Sequence, residues 1–119
     1  MSLFLNCVKG LPVKRPPVWF MRQAGRYLSE YRNTRKKAGS FLNLCYNSDL
    51  ATEVALQPID KFGFDAAILF ADILLILDAL GVGVQFVEGQ GPILDPVRSN
   101  EDIKNIKNTE KIHDKLSPV

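Results

Sequence analysis

The sequence predicts an α/β fold, on three observations. The apolar run Ala66-Ala67-Ile68-Leu69-Phe70 has the length of a strand buried on both faces. A stretch with Leu50, Val54, Pro58 and Phe62 repeating at helical spacing precedes it. A short apolar segment over 73–80, bounded by Asp72 and Gly81, follows it and reads as a second helix. Helix, strand and helix in that order belong to α/β architectures. Asp65, Asp72 and Asp78 interrupt the apolar region between Phe64 and Gly81, which argues against a transmembrane span.

Taken in order, residues 1–17 read as an extended, irregular arm, because Pro12, Pro16 and Pro17 prevent a regular helix and push their predecessors toward extended geometry. A helix is expected from Ser29 to Ala38. Ser29 is its expected cap, Glu30 sits in the first turn, Arg35, Lys36 and Lys37 in the last, and Gly39 terminates it. Arg35 shares a face with Tyr31, either as a stem packed over the ring or as a contact for an anion. The next helix starts at Ser48, is kinked or divided by Pro58, and ends at Gly63. Asp72 stands at the junction between the strand and the following helix as its expected N-cap. Val84–Val87 alternates as a strand, Glu88–Pro92 forms a turn, and Ile93-Leu94 pairs back. Short helices are expected over 100–107 and 110–116.

The chain has 119 residues, 46% of them hydrophobic, and a net charge of +2. That suits one domain with a modest core, short of the ~250 residues of a (β/α)8 barrel. The charge is unevenly spread. Residues 1–40 carry nine basic groups against one acid, Glu30, whereas residues 41–119 carry six basic groups against twelve acids. A basic segment points to an anionic partner or to docking on its own acidic remainder. Lys36-Lys37 is the only adjacent lysine pair in that segment and no nucleic-acid motif accompanies it, so nucleic acid is not the expected partner. Cys7, Cys45 and His113 have no metal-ligand spacing, and two lone cysteines read as reduced cytosolic thiols. No signal peptide is expected at the N-terminus, where the apolar stretch is short and Lys9 breaks it.

The most informative stretch is Val18-Trp19-Phe20-Met21-Arg22-Gln23-Ala24-Gly25-Arg26-Tyr27. Arg22 and Arg26 carry planar forks of donors that fit a carboxylate or phosphate at two points. Gln23, Ala24 and Gly25 lie between them, and Gly25 lets the backbone approach a ligand. The alternative is a solvated basic turn whose aromatic residues pack on a core. Asp72 has the same duality. It reads as a helix cap satisfied by backbone N–H groups, or as an acceptor aimed into a cleft.

The run from Trp19 to Tyr27 closely resembles the N-terminal signature of the uroporphyrinogen decarboxylase family, with Trp19, Met21, Arg22, Gln23, Ala24, Gly25, Arg26 and Tyr27 matching. Phe70-Ala71-Asp72-Ile73-Leu74 resembles that family's motif around its central catalytic aspartate. Matches continue through Tyr31–Arg35, Leu56-Gln57-Pro58, Asp65–Ile68, Ala79-Leu80-Gly81 and Gly89–Pro92. The resemblance implies the N-terminal portion of a (β/α)8 TIM barrel, with 1–119 as one partial domain comprising an arm and the first β/α units, truncated relative to the family. It implies a cytoplasmic, cofactor-free carboxy-lyase of haem biosynthesis that takes four acetate carboxyl groups from uroporphyrinogen III, giving coproporphyrinogen III. It further implies a homodimer in the full-length protein. Arg22, Arg26 and Asp72 are then the expected catalytic residues, and Gln23, Ala24 and Gly25 join them in substrate binding. The 119 residues alone are expected to be inactive. Two other readings remain: a related barrel methyltransferase, which would use zinc held by His and Cys, and a non-catalytic anion-binding fragment.

Overall fold

The computed structural model describes residues 2–19, 24–87, 89–106, 110 and 112–119. Those residues form two compact units, 1–70 and 71–119.

The first unit contains α1 (Leu3–Val8), α2 (Ser29–Ala38), α3 (Phe41–Tyr46) and α4 (Ser48–Phe62). Side-chain oxygens start three of these helices, as orphaned N–H groups require. Ser2 accepts from the Leu5 amide, Ser40 from Asn43 and Asn47 from Leu50. Helix α2 spans the expected residues and stops at Gly39, but its cap differs: Leu28 occupies that position without a side-chain bond, and Ser29 donates instead to Glu30. Helix α4 ends at Gly63 in the left-handed region (φ 67°), where glycine has no steric penalty. It runs undivided through Pro58.

Two expectations fail in the first half. Residues 3–8 are helical because all three prolines lie downstream of them. Helix α3 went unforeseen because six residues are too few to display a period. The helices of this unit bury Leu28, Tyr31, Leu44, Cys45, Ala51 and Val54. Of the expected α4 stripe, Val54 and Pro58 are buried, whereas Phe62 is 49% exposed and stacks on Phe64 at 5.5 Å between ring centroids.

A polar network links α2 to α4. Buried Thr34 lies 2.6 Å from the Glu53 carboxylate and accepts from Gln57 Nε2 at 3.1 Å. Nearer the surface, Lys61 pairs with Glu30 at 2.7 Å.

The expected strand over 66–70 is not assigned as one. Among the described residues the only ladder joins β1 (Val84–Val87) and β2 (Gly91–Leu94), and a strand is defined by its partner. Nor is the segment buried throughout: Ile68 and Leu69 are exposed, while Phe70 is buried. The Phe70 ring lies 5.9 Å from Tyr31 and 6.0 Å from Phe41, centroid to centroid. The Arg35 guanidinium lies over the Phe41 ring, 5.8 Å from its centroid.

The second unit contains α5 (Leu75–Ala79), the β1–β2 hairpin, α6 (Asn100–Asn105) and α7 (Ile112–Leu116). The hairpin expected from the alternation is antiparallel, with Val84 opposite Leu94 and Val87 opposite Gly91, so β2 begins at Gly91, inside the stretch expected as turn. Pro92 is tolerated in β2 because only one face of that strand pairs. A Cβ at Gly83 would meet the Asp95 carboxylate, an exposed side chain that would have to swing aside. Lys115 of α7 pairs with Asp78 of α5 at 2.8 Å.

The Lys61 ammonium is the main cause that lowers the Glu30 carboxyl to about 2 from its ordinary 4.5. A folded-state value below the unfolded one stabilises the fold above the unfolded value, and that contribution disappears as pH falls toward the folded one. Wild type should therefore lose melting temperature between about pH 5 and about pH 2.5 more steeply than Glu30→Gln, which has no carboxylate to protonate. Parallel slopes in a pH series of thermal melts would refute this.

Candidate functional site

The arm meets the body of the first unit through one carboxylate. Asp65 accepts both prongs of the Arg15 guanidinium, at 2.6 and 2.9 Å, and the Val18 amide at 2.7 Å. The Asp65 amide donates back to the Val18 carbonyl at 3.0 Å. The carboxylate is only 13% exposed, so these bonds replace most of its hydration. First the Arg15 guanidinium and then the Val18 amide hold its carboxyl below the ordinary carboxylate range.

The arginine-bearing stretch begins immediately afterwards. Trp19 lines a small apolar gap with Ala55, Pro58, Phe64 and Ile68. Arg22 and Gln23, two of the expected site residues, lie outside the described residues, as do Phe20 and Met21. Chain description resumes at Ala24, which is buried. The Leu28 amide donates to the Gly25 carbonyl at 2.9 Å, closing a turn, and the Leu28 side chain is 2% exposed in the core. Arg26, between them, is exposed. Its carbonyl accepts from the Arg32 guanidinium at 2.7 Å, so a residue of α2 reaches back to brace the backbone of the stretch.

Gly25 has no positive φ, and among the described residues a Cβ placed on it would meet only the Tyr27 ring, at an ordinary 3.6 Å. The protein itself therefore has room for alanine here.

Asp72 is half-buried and lies in the second unit, whereas Ala24, Gly25 and Arg26 lie in the first. It is not the N-cap that the sequence suggests. Helix α5 begins at Leu75 and Leu74 holds the cap position without a side-chain bond. Asp72 instead closes a local turn: its Oδ1 accepts from the Leu74 amide at 2.8 Å and its carbonyl from the Leu75 amide at 3.1 Å. A carboxylate has about four lone-pair sites, and one is used here among the described residues.

Sequence reasoning missed Asp65, Arg15 and Arg32. Asp65 had a signal, a charge at the head of an apolar run, but its partner is 50 residues away and no local pattern reveals the pairing. Among the described residues no three His, Cys, Asp or Glu side chains gather as metal ligands. No described helix is long and apolar enough to cross a membrane.

Comparison with known proteins supplies what geometry alone does not. The family model described as "Uroporphyrinogen decarboxylase (URO-D)" matches residues 1–119. The uroporphyrinogen decarboxylase of Rhodobacter capsulatus is 59% identical over 115 residues, and so is that of Chelativorans sp. strain BNC1, in each case covering 97% of this chain. The chain spans about a third of the length of these relatives, 33% in both. Among solved structures, a methyltransferase from Methanosarcina mazei superposes with a TM-score of 0.63, covering 98% of this chain and 35% of that one at 18% identity. That likeness shows the fold alone: this mixed helix and strand chain is the N-terminal portion of an α/β barrel.

Gly25→Ala should leave the melting temperature within about 1 °C of wild type, since the added methyl meets only ordinary contact. A large drop in a thermal melt would show that the chain's own folding requires this glycine.

Proposed function

The chain belongs to the uroporphyrinogen decarboxylase family, and on that premise we propose that it forms part of an enzyme converting uroporphyrinogen III to coproporphyrinogen III in porphyrin biosynthesis. The observation that carries this reading is the 59% identity to decarboxylases across 97% of the chain. The methyltransferase reading has only a likeness at 18% identity behind it. The assembled protein is proposed to be a cytoplasmic homodimer acting on a tetrapyrrole. The dimer rests on the family resemblance alone.

The chemistry accounts for the residue types. Each acetate side chain loses CO2 and gains one proton to become methyl. Breaking the carbon–carbon bond leaves an electron pair that needs a sink. A pyrrole provides one when a ring carbon beside the acetate-bearing position is protonated, so the reaction needs no organic cofactor. The protein's tasks are to hold carboxylates and to stabilise positive charge on the ring. Arg22 and Arg26 suit the first by charge and fork geometry, with the backbone of Gln23, Ala24 and Gly25 between them as further donors. Ionised Asp72 suits the second: with one oxygen committed to the Leu74 amide, it retains acceptor capacity for pyrrole N–H groups and a charge opposite to the ring's.

The direct test joins residues 1–119 of this chain to the remaining two thirds of the Rhodobacter capsulatus enzyme and follows coproporphyrinogen formation under anaerobic conditions. Turnover is expected. A folded chimera that does not decarboxylate uroporphyrinogen overturns the reading.

Within that chimera, Arg26→Lys keeps the charge but loses the fork. Catalytic efficiency should fall about tenfold or more, the scale of one lost charge-assisted bond of ~1.5–3 kcal/mol. Wild-type kinetics would mean that Arg26 is a solvated surface group.

Asp72→Asn separates a turn former from an electrostatic residue. Asn can accept from the Leu74 amide as Asp does, so the melting temperature should hold. It removes the negative charge and presents N–H donors to substrate N–H donors. Turnover should fall roughly 10²-fold or more, with Asp72→Glu between the two. An Asp72→Asn enzyme that melts and turns over like wild type would leave Asp72 as a turn residue only.

A further inference from the structure

The residues that lead into α2 form a tight turn. Leu28 donates its amide to the Gly25 carbonyl at 2.9 Å, so Arg26 and Tyr27 are the two central residues of a four-residue turn. That bond fixes the two ends. It leaves the central peptide, between Arg26 and Tyr27, without a partner inside the turn, and the common turn types differ chiefly in which way this peptide faces. Arg32 supplies the partner: its guanidinium donates to the Arg26 carbonyl at 2.7 Å. The peptide plane that follows the Arg26 Cα is thereby held, and with it one of the two soft torsions of Arg26. The turn is also anchored at its flanks, because Ala24 and Leu28 are both buried.

Helix electrostatics do not put Arg32 there. It is the fourth residue of α2, and its side chain reaches back to a residue before the cap position, toward the positive end of the helix, where a cation is disfavoured. Glu30, the acid of the first turn, is paired with Lys61 instead. Among the described residues the Arg32 guanidinium makes a single hydrogen bond, and it goes to the Arg26 carbonyl.

We propose, resting on the decarboxylase reading above for the identity of the ligand, that Arg32 is a positioning residue for Arg26: by holding the central peptide of the 25–28 turn, it fixes the direction in which the exposed Arg26 side chain leaves the backbone toward a substrate carboxylate. A two-point guanidinium–carboxylate bond is demanding in direction, and misplacing a binding group by about 1 Å is costly to a reaction that depends on orientation. Arg32 itself does not touch substrate.

The test uses the chimera described above. Arg32→Met removes the donors and keeps an unbranched stem of good helix propensity. KM for uroporphyrinogen should rise about tenfold with kcat changing within about twofold, and Arg32→Lys, which retains a donor, should lie between. The decisive readout is coupling to Arg26. In an Arg26→Ala background, Arg32→Met should change KM by less than about twofold, because a residue that acts only through the Arg26 guanidinium has nothing left to place. Equal effects in both backgrounds would make Arg32 a carboxylate contact in its own right. A wild-type KM in Arg32→Met, with or without a lower melting temperature, would make it a solvated or merely structural group. Either result overturns the proposal. Hydrogen exchange reads the grip independently of activity. In Arg32→Met the Leu28 amide, which closes the turn, should exchange faster, with the amides of Ala51–Val54 in α4 unchanged. An unchanged Leu28 amide, or uniformly faster exchange across the chain, overturns it as well. If the unsubstituted chimera has no decarboxylase activity, the functional reading fails and the Leu28 exchange alone decides whether Arg32 holds the turn.

Discussion

The Asp65 carboxylate is the constraint on which the N-terminal half of the chain depends. A carboxylate this far removed from water is costly unless its oxygens are matched. Arg15 and Val18 match them, one in the arm and the other just past its end. The consequence runs in both directions. The arm is fixed because Asp65 needs donors, and the segment leading to Phe70 is fixed because the arm supplies them. Phe70 then seats against Tyr31 and Phe41, so the far end of that segment is held by aromatic packing rather than charge.

A second, quieter constraint sets α2 against α4. Thr34 is buried to 2% exposure, and its hydroxyl, which also lies 3.1 Å from the Glu30 carbonyl of its own helix, meets Glu53 and Gln57 from the facing helix. Sliding one helix by a turn would keep apolar contact but break this match. The Glu30–Lys61 pair reinforces the same alignment from the surface, where exposure and salt make it weaker. Among the described residues Gln57 Oε1 is buried without a hydrogen-bond partner, while the Gln57 amide nitrogen is turned toward Thr34. Since α2 carries Arg32, which braces the Arg26 carbonyl, the helix alignment reaches the arginine stretch through a single further contact.

What the sequence revealed, and what it hid, follows from the range of the interactions involved. The limits of α2 and α4 were readable because charge at the helix ends and a terminating glycine are local chemistry, although α2 does not use the Ser29 cap that its sequence offers. The hairpin was readable because alternation and a glycine-rich turn are local too. Helices α1 and α3, of six residues each, lie below the length at which a period can be recognised. The segment 66–70 was misjudged for another reason: apolar composition indicates a capacity to be buried, but a ladder depends on a neighbour remote in sequence. The pairs Arg15–Asp65 and Lys61–Glu30 join residues 50 and 31 positions apart, and nothing in either local sequence identifies the partner.

A comparison of Asp72 with Asp102, another aspartate of the second unit, shows why Asp72 still reads as more than local architecture although its expected cap role failed. Asp102 is spent on the backbone. Its Oδ2 accepts from the Arg98 and Ser99 amides at 2.9 and 2.8 Å, its own amide is taken by Ser99 Oγ, and the reciprocal box at the start of α6 is complete. Those donors hold its carboxyl below the ordinary range, the Arg98 amide foremost. Asp72 has one such bond among the described residues, to the Leu74 amide, and the helix after it starts without help from its side chain. A turn of that kind is served as well by Asn or Ser. The negative charge at position 72 is therefore in excess of what the local turn requires, and a half-buried charge following an apolar run is what the proposed decarboxylase chemistry would call on.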